Sequence, residues 1–489
     1  MYPSFAQIQS YAKTYRRVPL CTEMFADMYT PVQVLQILRN VSKHTYVLES
    51  ASQDQQWGRY SFLGYDPTME ITCTDGNMHV RSLDGTVNEQ FHTAHPKNEL
   101  RKIMQRYTSP KMEGIPPFSG GLVGYFSYDY IKYSEPKLKL HHHDMDFKDM
   151  DVMLFDSVIC FDHYKQKIIL MTGVFTDDLE ASYQKAKEKL EAMKALLKKG
   201  DKKQFAPIHL EEDIHGECTE REFEDMVNTA KHYIHEGDIF QVVLSNPMRA
   251  KATGSLFDTF RVLRTSNPSP YMFYFSSEDM EMAGASPETL AKLENDTLFT
   301  FPLAGTTVRG KTPAEDKALE QALLSNEKER AEHNMLVDLG RNDIGRIAKV
   351  GSVSVDKYMA IERFSQVMHI GSTVTGTIRE DLDALDALDS ILPAGTLSGA
   401  PKFRACEIID ELEHSKRGIY GGAIGYIDFT GNLDTCIAIR LVYKKDDEIC
   451  IRSGAGIVAD SIPEKEYQEC QNKAKAVVQA IQQAQEGFE

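Results

Sequence analysis

The chain has 489 residues with 55 Lys and Arg against 72 Asp and Glu, a formal net charge of −17. That sign excludes a general nucleic-acid binder, which needs concentrated basic surface to displace counterions from phosphates. With 42% hydrophobic and 26% charged residues the composition predicts a globular protein large enough for more than one core.

No window approaches the run of about 18 apolar residues that a membrane-spanning helix needs. The opening MYPSFAQIQSYAKTYRR carries its charges after its apolar residues, the reverse of a secretory leader. None of the eight cysteines forms a C-x-x-C pair or a zinc spacing. The expectation is a cytoplasmic protein with free thiols and no membrane partner. Along the first two hundred residues, HTYVLES, RYSFLGY and GGLVGYFSYDY read as strands, rich in aromatic and β-branched residues. From Thr176 to about Lys198 apolar residues recur at helical spacing amid many lysines, then GDKKQFAP ends the run. This predicts a solvated helix and a boundary near residue 205, giving an N-terminal region, 1–205, and a second α+β region, 206–489. The second region opens with Thr219 and Glu222 placed as a capping box, and Gly237 sits where that helix should stop. Strand-like IFQVVLSNPM, YMFYFS and TLFTFPLAG then alternate with helical PAEDKALEQALLSNEKERAEHNMLVDLGRNDIGRIA and a terminal PEKEYQECQNKAKAVVQAIQQA.

Glu329 and Glu332 stand three apart on one predicted helix, and Glu466 and Glu469 repeat the spacing on another. Four carboxylates from two helices would make a hard oxygen site suited to Mg²⁺. Spacing alone describes a solvated helix face equally well, and that is the commoner case. Three glycine-rich segments, LPAGTLSGAPK, RGIYGGAIGY and RSGAGIVADS, could bring backbone amides close to an anion, or simply turn the chain. None has the order of a nucleotide-binding loop.

Taken together, GDIFQVVLSNP, ASPE, PLAGT, RAEHNMLVDLGRND, PAGTLSGAPK, RGIYGGAIGY, SGAGIVADS and EYQECQNKA resemble the chorismate-utilising enzymes, and within that family the anthranilate-forming branch. The resemblance implies an α+β fold of stacked antiparallel sheets with helices packed outside and an interleaved N-terminal regulatory region. It implies that Glu332 and Glu469 hold Mg²⁺, with Glu329 and Glu466 nearby. It further implies that Tyr420, Arg440, Lys473 and the amides of Gly454, Ala455 and Gly456 grip the carboxylates of chorismate, beside Gly305, Thr306 and Thr396. Chorismate is a dianion, so a cleft in this acidic protein must reverse the potential locally.

Two positions bear on the reaction. Where water-adding members of the family carry a lysine base, this chain has Gln241, whose amide has no titrating lone pair. Where aminodeoxychorismate synthases carry an attacking lysine, this chain has Ala304. Attack by free ammonia remains. By resemblance Glu288 is the acid that protonates the departing hydroxyl, and His369 belongs to the later lyase step. No cysteine lies in a nucleophile elbow, Cys218 in HGECTER included, so ammonia should come from a separate glutamine amidotransferase subunit.

The resemblance also implies a tryptophan site for feedback inhibition, built from Glu49 and Ser50 with Pro270, Tyr271 and Met272. A buried structural contact is the plainer account of those residues. The chain departs from the family at Thr307-Val308-Arg309-Gly310, where one arginine is lost, and at Leu441, where threonine often follows Arg440. A para-aminobenzoate-type synthase of 4-amino-4-deoxychorismate is therefore the nearest rival, and a silent tryptophan sensor or scaffold is the rival from another class. His141, His142 and His143 with Asp144 and Asp146 resemble a transition-metal cluster, but alternate side chains of an extended segment face opposite ways, so a surface loop is expected.

Overall fold

The computed structural model describes residues 1–50, 58–142, 147–363 and 367–487. Two large antiparallel sheets lie face to face, with helices on both outer surfaces. Alternation in the sequence shows which strands have a wet side. Asn77–Ser82 buries every second residue, whereas Val158–Asp162 is buried throughout, as a strand covered on both faces must be.

The first sheet runs Arg17–Phe25, Lys167–Phe175, Val158–Asp162, Tyr60–Tyr65, Thr45–Glu49, Tyr271–Ser276, Met280–Ser286, Leu441–Lys445, Glu448–Ile457 and Gln241–Thr253. The second places Gly121–Phe126 and Met150–Phe155 beside Ala423–Asp428 and Leu433–Ile437, followed by Thr289–Glu294, Thr297–Thr300, Val367–Thr377 and Leu303–Val308. Each sheet therefore takes strands from both sides of residue 205. The division read at that point divides the chain, and it does not divide the sheets into two units.

Between the sheets the core is aromatic, with Tyr46, Phe62, Phe118, Tyr125, Phe155 and Phe273 all buried. Behind the first sheet, the helix Leu179–Lys199 presents Ala186, Leu190, Met193 and Leu197, a stripe at helical spacing that leaves its lysines to solvent. Its N-cap is Asp178, whose side chain accepts from the amide of Ala181. The helix Glu220–His235 has the expected capping box of Thr219 and Glu222, and Gly237 follows it at φ +86°. The terminal helix Pro463–Glu486 buries Cys470, Ala474, Val477, Ala480 and Ile481. Behind the second sheet, Glu327–Gly345 packs His333, Leu336, Val337 and Ile344 inward.

Three predicted elements are shorter than expected. GGLVGYFSYDY is a strand only over Gly121–Phe126 and then coils into short helical turns. TLFTFPLAG divides into two strands around Pro302, which has no amide to donate to a ladder. The long helical run divides at Asn326, which ends one helix and caps the next by accepting from the amides of Lys328 and Glu329. All eight cysteines are free and buried. Among the described residues no helix is long and apolar enough to cross a membrane.

Candidate active site

The two glutamate pairs come from two helices that bring their charges within interaction range of one another. Glu329 lies in the first turn of Glu327–Gly345, where the helix dipole favours a carboxylate. Glu332 follows on the same face. Burial, and then the nearby charges of Glu329 and Glu469, hold the Glu332 carboxyl above its ordinary range. Glu466, on the terminal helix, is likewise raised by burial and by Glu469, although Ser461 hydrogen bonds to it. Like charges gathered this closely disfavour one another unless a cation joins them. Lys473 and Lys328 offset part of the repulsion.

Among the described residues no three His, Cys, Asp or Glu side chains converge as a ready-made metal cage. That arrangement still suits Mg²⁺, which keeps several waters and binds through one or two carboxylates plus oxygens of the substrate. The donor chemistry therefore fits the ion.

Cationic groups lie beside the glutamates. Lys473 Nζ is 2.7 Å from Glu469 Oε1 and donates to the carbonyl of Gly454 at 3.0 Å, tying the terminal helix to the strand Glu448–Ile457. Arg440 sits between two strands in the left-handed region at φ +54°, and burial makes its guanidinium less basic than usual. Tyr420 is buried, and its hydroxyl would lie 2.9 Å from a Cβ at Gly454, so only glycine admits it there.

On the floor, the Thr396 hydroxyl donates to Glu288 Oε1 at 3.0 Å. Burial raises the Glu288 carboxyl from its ordinary 4.5 to about 7, against the opposing pull of Thr396 and Lys473. Such a group can donate a proton at neutral pH. His369 Nδ1 lies 3.2 Å from the carbonyl of Gly305 and 3.0 Å from Thr306 Oγ1. A carbonyl only accepts, so Nδ1 carries the hydrogen and Nε2 is the basic nitrogen. Burial pushes this imidazole below its ordinary range, which keeps it neutral. Gly305 stands at φ +69°, and a Cβ there would meet Glu329 Oε2 at 3.0 Å.

The second predicted constellation also comes together. Thr45–Glu49 and Tyr271–Ser276 are neighbouring strands, with Met272 opposite Glu49. Glu49, Ser50, Pro270, Tyr271 and Met272 line a cavity of ≈ 650 Å³. Glu49 does not offer an open carboxylate, because Arg264 Nε and Nη2 bind it at 2.5 and 3.0 Å. The Tyr271 hydroxyl donates to Asp434 at 2.8 Å and lies 2.9 Å from Thr289 Oγ1, one residue beyond Glu288. The histidine run carries no cluster among the described residues: His141 and His142 bind Asp410 and its carbonyl. His143, Asp144, Met145 and Asp146 lie outside the described residues.

Sequence reasoning missed Arg264, since nothing local marks it as the partner of Glu49. It also missed a buried ion cluster behind Tyr420. Glu413 binds Arg417 through both of its oxygens, Arg452 at 2.8 Å and the amide of Ser245 at 2.8 Å. Arg417 in turn donates to the carbonyls of Leu397 and Val243 at 2.6 and 2.7 Å. The i, i+4 spacing of Glu413 and Arg417 just before GIYGG was the available signal.

Comparison with known proteins adds to this geometry. The model of a family described as chorismate binding enzyme matches residues 43–479. The chain is 43% identical over 495 residues to anthranilate synthase component 1 of Aquifex aeolicus, covering 99% of both chains. It is also 43% identical to the protein of that name from Acetivibrio thermocellus, again covering 99% of each. Among solved structures, anthranilate synthase component I from Streptococcus pneumoniae superposes with a TM-score of 0.75 at 39% identity, covering 86% of this chain and 92% of that one. The menaquinone-specific isochorismate synthase of Escherichia coli shares the fold, with a TM-score of 0.70 at 17% identity over 98% of each chain.

Proposed function

The chain belongs to the chorismate-binding enzyme family, and on that premise we propose that it converts chorismate and ammonia to anthranilate, pyruvate and water. Glu288 is the observation that carries this reading. An enclosed carboxyl raised to about 7 and oriented by Thr396 supplies an acid where a hydroxyl must leave.

Ammonia forms its C–N bond at ring C2, the ring double bonds shift, and the C4–O bond breaks as Glu288 protonates the departing hydroxyl to water. In the second step the C2 hydrogen leaves as a proton, the C3–O bond breaks, and enolpyruvate departs and becomes pyruvate as the ring turns aromatic. His369, neutral and with Nε2 as its basic nitrogen, acts in this lyase step. Tyr420, Arg440, Lys473 and the Gly454–Gly456 amides hold the substrate carboxylates and so orient C2 and C4. Glu332 and Glu469, with Glu329 and Glu466 near them, would hold Mg²⁺, which would supply charge neutralisation for the anionic substrate.

A glutamine amidotransferase subunit supplies the ammonia, because no cysteine of this chain stands in a nucleophile elbow and all eight are buried. Tryptophan occupies the cavity lined by Glu49 and Met272, with its amino group sharing Glu49 with Arg264, and inhibits from there. A volume of ≈ 650 Å³ lies within the usual range for small-molecule sites. The reaction belongs in the cytoplasm.

The deciding test mixes the purified chain with chorismate, ammonium and Mg²⁺ and follows product fluorescence and mass. Anthranilate and pyruvate in equal amounts are expected, with no product when glutamine replaces ammonium. Accumulation of 4-amino-4-deoxychorismate without anthranilate would overturn the assignment.

A further inference from the structure

Glu413, Arg417 and Arg452 are all buried, and their bonds join the strands Gln241–Thr253 and Glu448–Ile457 to the loop that follows the helix Lys402–Leu412. Arg417 Nε and Nη2 grip the two oxygens of Glu413 at 2.9 and 2.5 Å. Arg452 holds the same carboxylate at 2.8 Å and donates to the carbonyl of Lys416 at 2.8 Å, just before Arg417. The Arg417 guanidinium also lies over the ring of Tyr128, 4.6 Å from its centre, which fixes its plane. Replacing such a cluster by apolar side chains of like volume often costs no stability, so stability alone accounts for it poorly. What the cluster sets is direction. With Glu413 holding one edge of the guanidinium, Arg417 Nη1 is left to donate to the carbonyl of Leu397 at 2.6 Å, and Nη2 to that of Val243 at 2.7 Å. Leu397 follows Thr396 in the short turn Gly395–Leu397. In that turn a Cβ at Gly395 would meet Leu339 Cδ2 at 1.6 Å, so the backbone packs directly on the helix Glu327–Gly345. Leu339 thus limits the turn by contact, and Arg417 by a directed bond.

We propose that Arg417 is a positioning residue for amination, fixing the turn so that the Thr396 hydroxyl meets the Glu288 carboxyl; this rests on the amination read above. That hydroxyl donates to Glu288 Oε1 at 3.0 Å, and a threonine side chain is short, so it reaches a set acceptor only from a set backbone. Arginine suits the task because its planar fork satisfies the carboxylate and both carbonyls at once. Lysine would keep the charge opposite Glu413, but its single nitrogen cannot reproduce that fork.

A double-mutant cycle tests this, with amination rates at saturating chorismate and ammonium in wild type, Arg417→Lys, Thr396→Val and the double variant. Each single substitution should slow amination about tenfold, the loss of one hydrogen bond. Because Arg417 acts through Thr396, the double variant should stay within about threefold of Thr396→Val alone. A merely structural role would instead multiply the two losses to about a hundredfold. That result would overturn the positioning role, as would an unchanged rate in Arg417→Lys. Should denaturant unfolding show that Arg417→Lys does not fold, Glu413→Gln takes its place in the cycle and is read the same way, since it keeps the carboxylate's outline while weakening its hold on the guanidinium. Failure of wild type to aminate chorismate at all would instead overturn the function proposed above.

Discussion

Replacing Glu288 by Gln separates the catalytic use of this carboxyl from what it costs the fold. Burial holds the group at about 7 in place of 4.5, so the folded protein binds its proton more tightly than the unfolded chain does. That interval corresponds to about 3 kcal/mol. The cost is absent below pH 4.5, where the group is protonated in both states. It grows as pH rises from 4.5 to about 7 and is constant above, where the group is ionised in both states. Gln has nearly the same shape and never ionises. The variant should therefore unfold at the same denaturant concentration as wild type at pH 4.5, and above pH 7 should gain up to about 3 kcal/mol. Its amination rate should fall by about 10²- to 10⁴-fold, the usual contribution of a positioned acid. Wild-type turnover at fixed free ammonia should decline as pH rises through about 7, while the residual rate of the variant should stay flat. Denaturant unfolding at pH 4.5 and 8 with stopped-time product assays measures both. A variant within a few-fold of wild-type rate would remove Glu288 from the chemistry, and one with no stability gain at pH 8 would show the carboxyl to be solvated.

Glu332→Gln and Glu469→Gln should each abolish Mg²⁺-supported turnover, read by titrating the ion at saturating chorismate; an unchanged activation curve for either excludes it as a ligand. His369→Met should slow pyruvate release more than amination, so the aminated intermediate should build up in quenched samples analysed by mass, and its absence would count against the imidazole. Ser50→Phe narrows the cavity that Glu49 and Met272 line and should raise the tryptophan concentration needed for half-inhibition at least about tenfold, the equivalent of some 1.4 kcal/mol of lost binding. The KM for chorismate should not move, and an identical inhibition curve would place tryptophan elsewhere.

Local signals in the sequence carried much of the architecture. The helix expected from Thr176 to about Lys198 runs Leu179–Lys199, and the capping box at Thr219 and Glu222 forms as its spacing implied. Of the motif-bearing residues, Thr396 hydrogen bonds Glu288, the Lys473 amine bonds the Gly454 carbonyl, and the Tyr420 hydroxyl lies against Gly454, though Thr396 and Tyr420 sit in turns, Gly454 inside a strand and Lys473 on a helix. Pairings between distant segments were not legible. Strand Thr45–Glu49 gives no hint that it will lie against Tyr271–Ser276, and Arg264 reaches Glu49 across 215 positions of sequence. PLAGT and its neighbours broke earlier than their pattern implied because Pro302 and Asn326 act through backbone geometry.

Both sheets are woven from the two halves of the chain, and this limits how the feedback control proposed above could be lost. Thr45–Glu49 is an interior strand, hydrogen-bonded to Tyr60–Tyr65 on one side and Tyr271–Ser276 on the other. Excising it would strip the ladder from Tyr271–Ser276, whose other neighbour, Met280–Ser286, leads through Ser286 to Glu288. Under the proposed inhibition by tryptophan, an enzyme freed of it would arise by point substitution within the cavity, because truncation would unpair strands that run on toward Glu288.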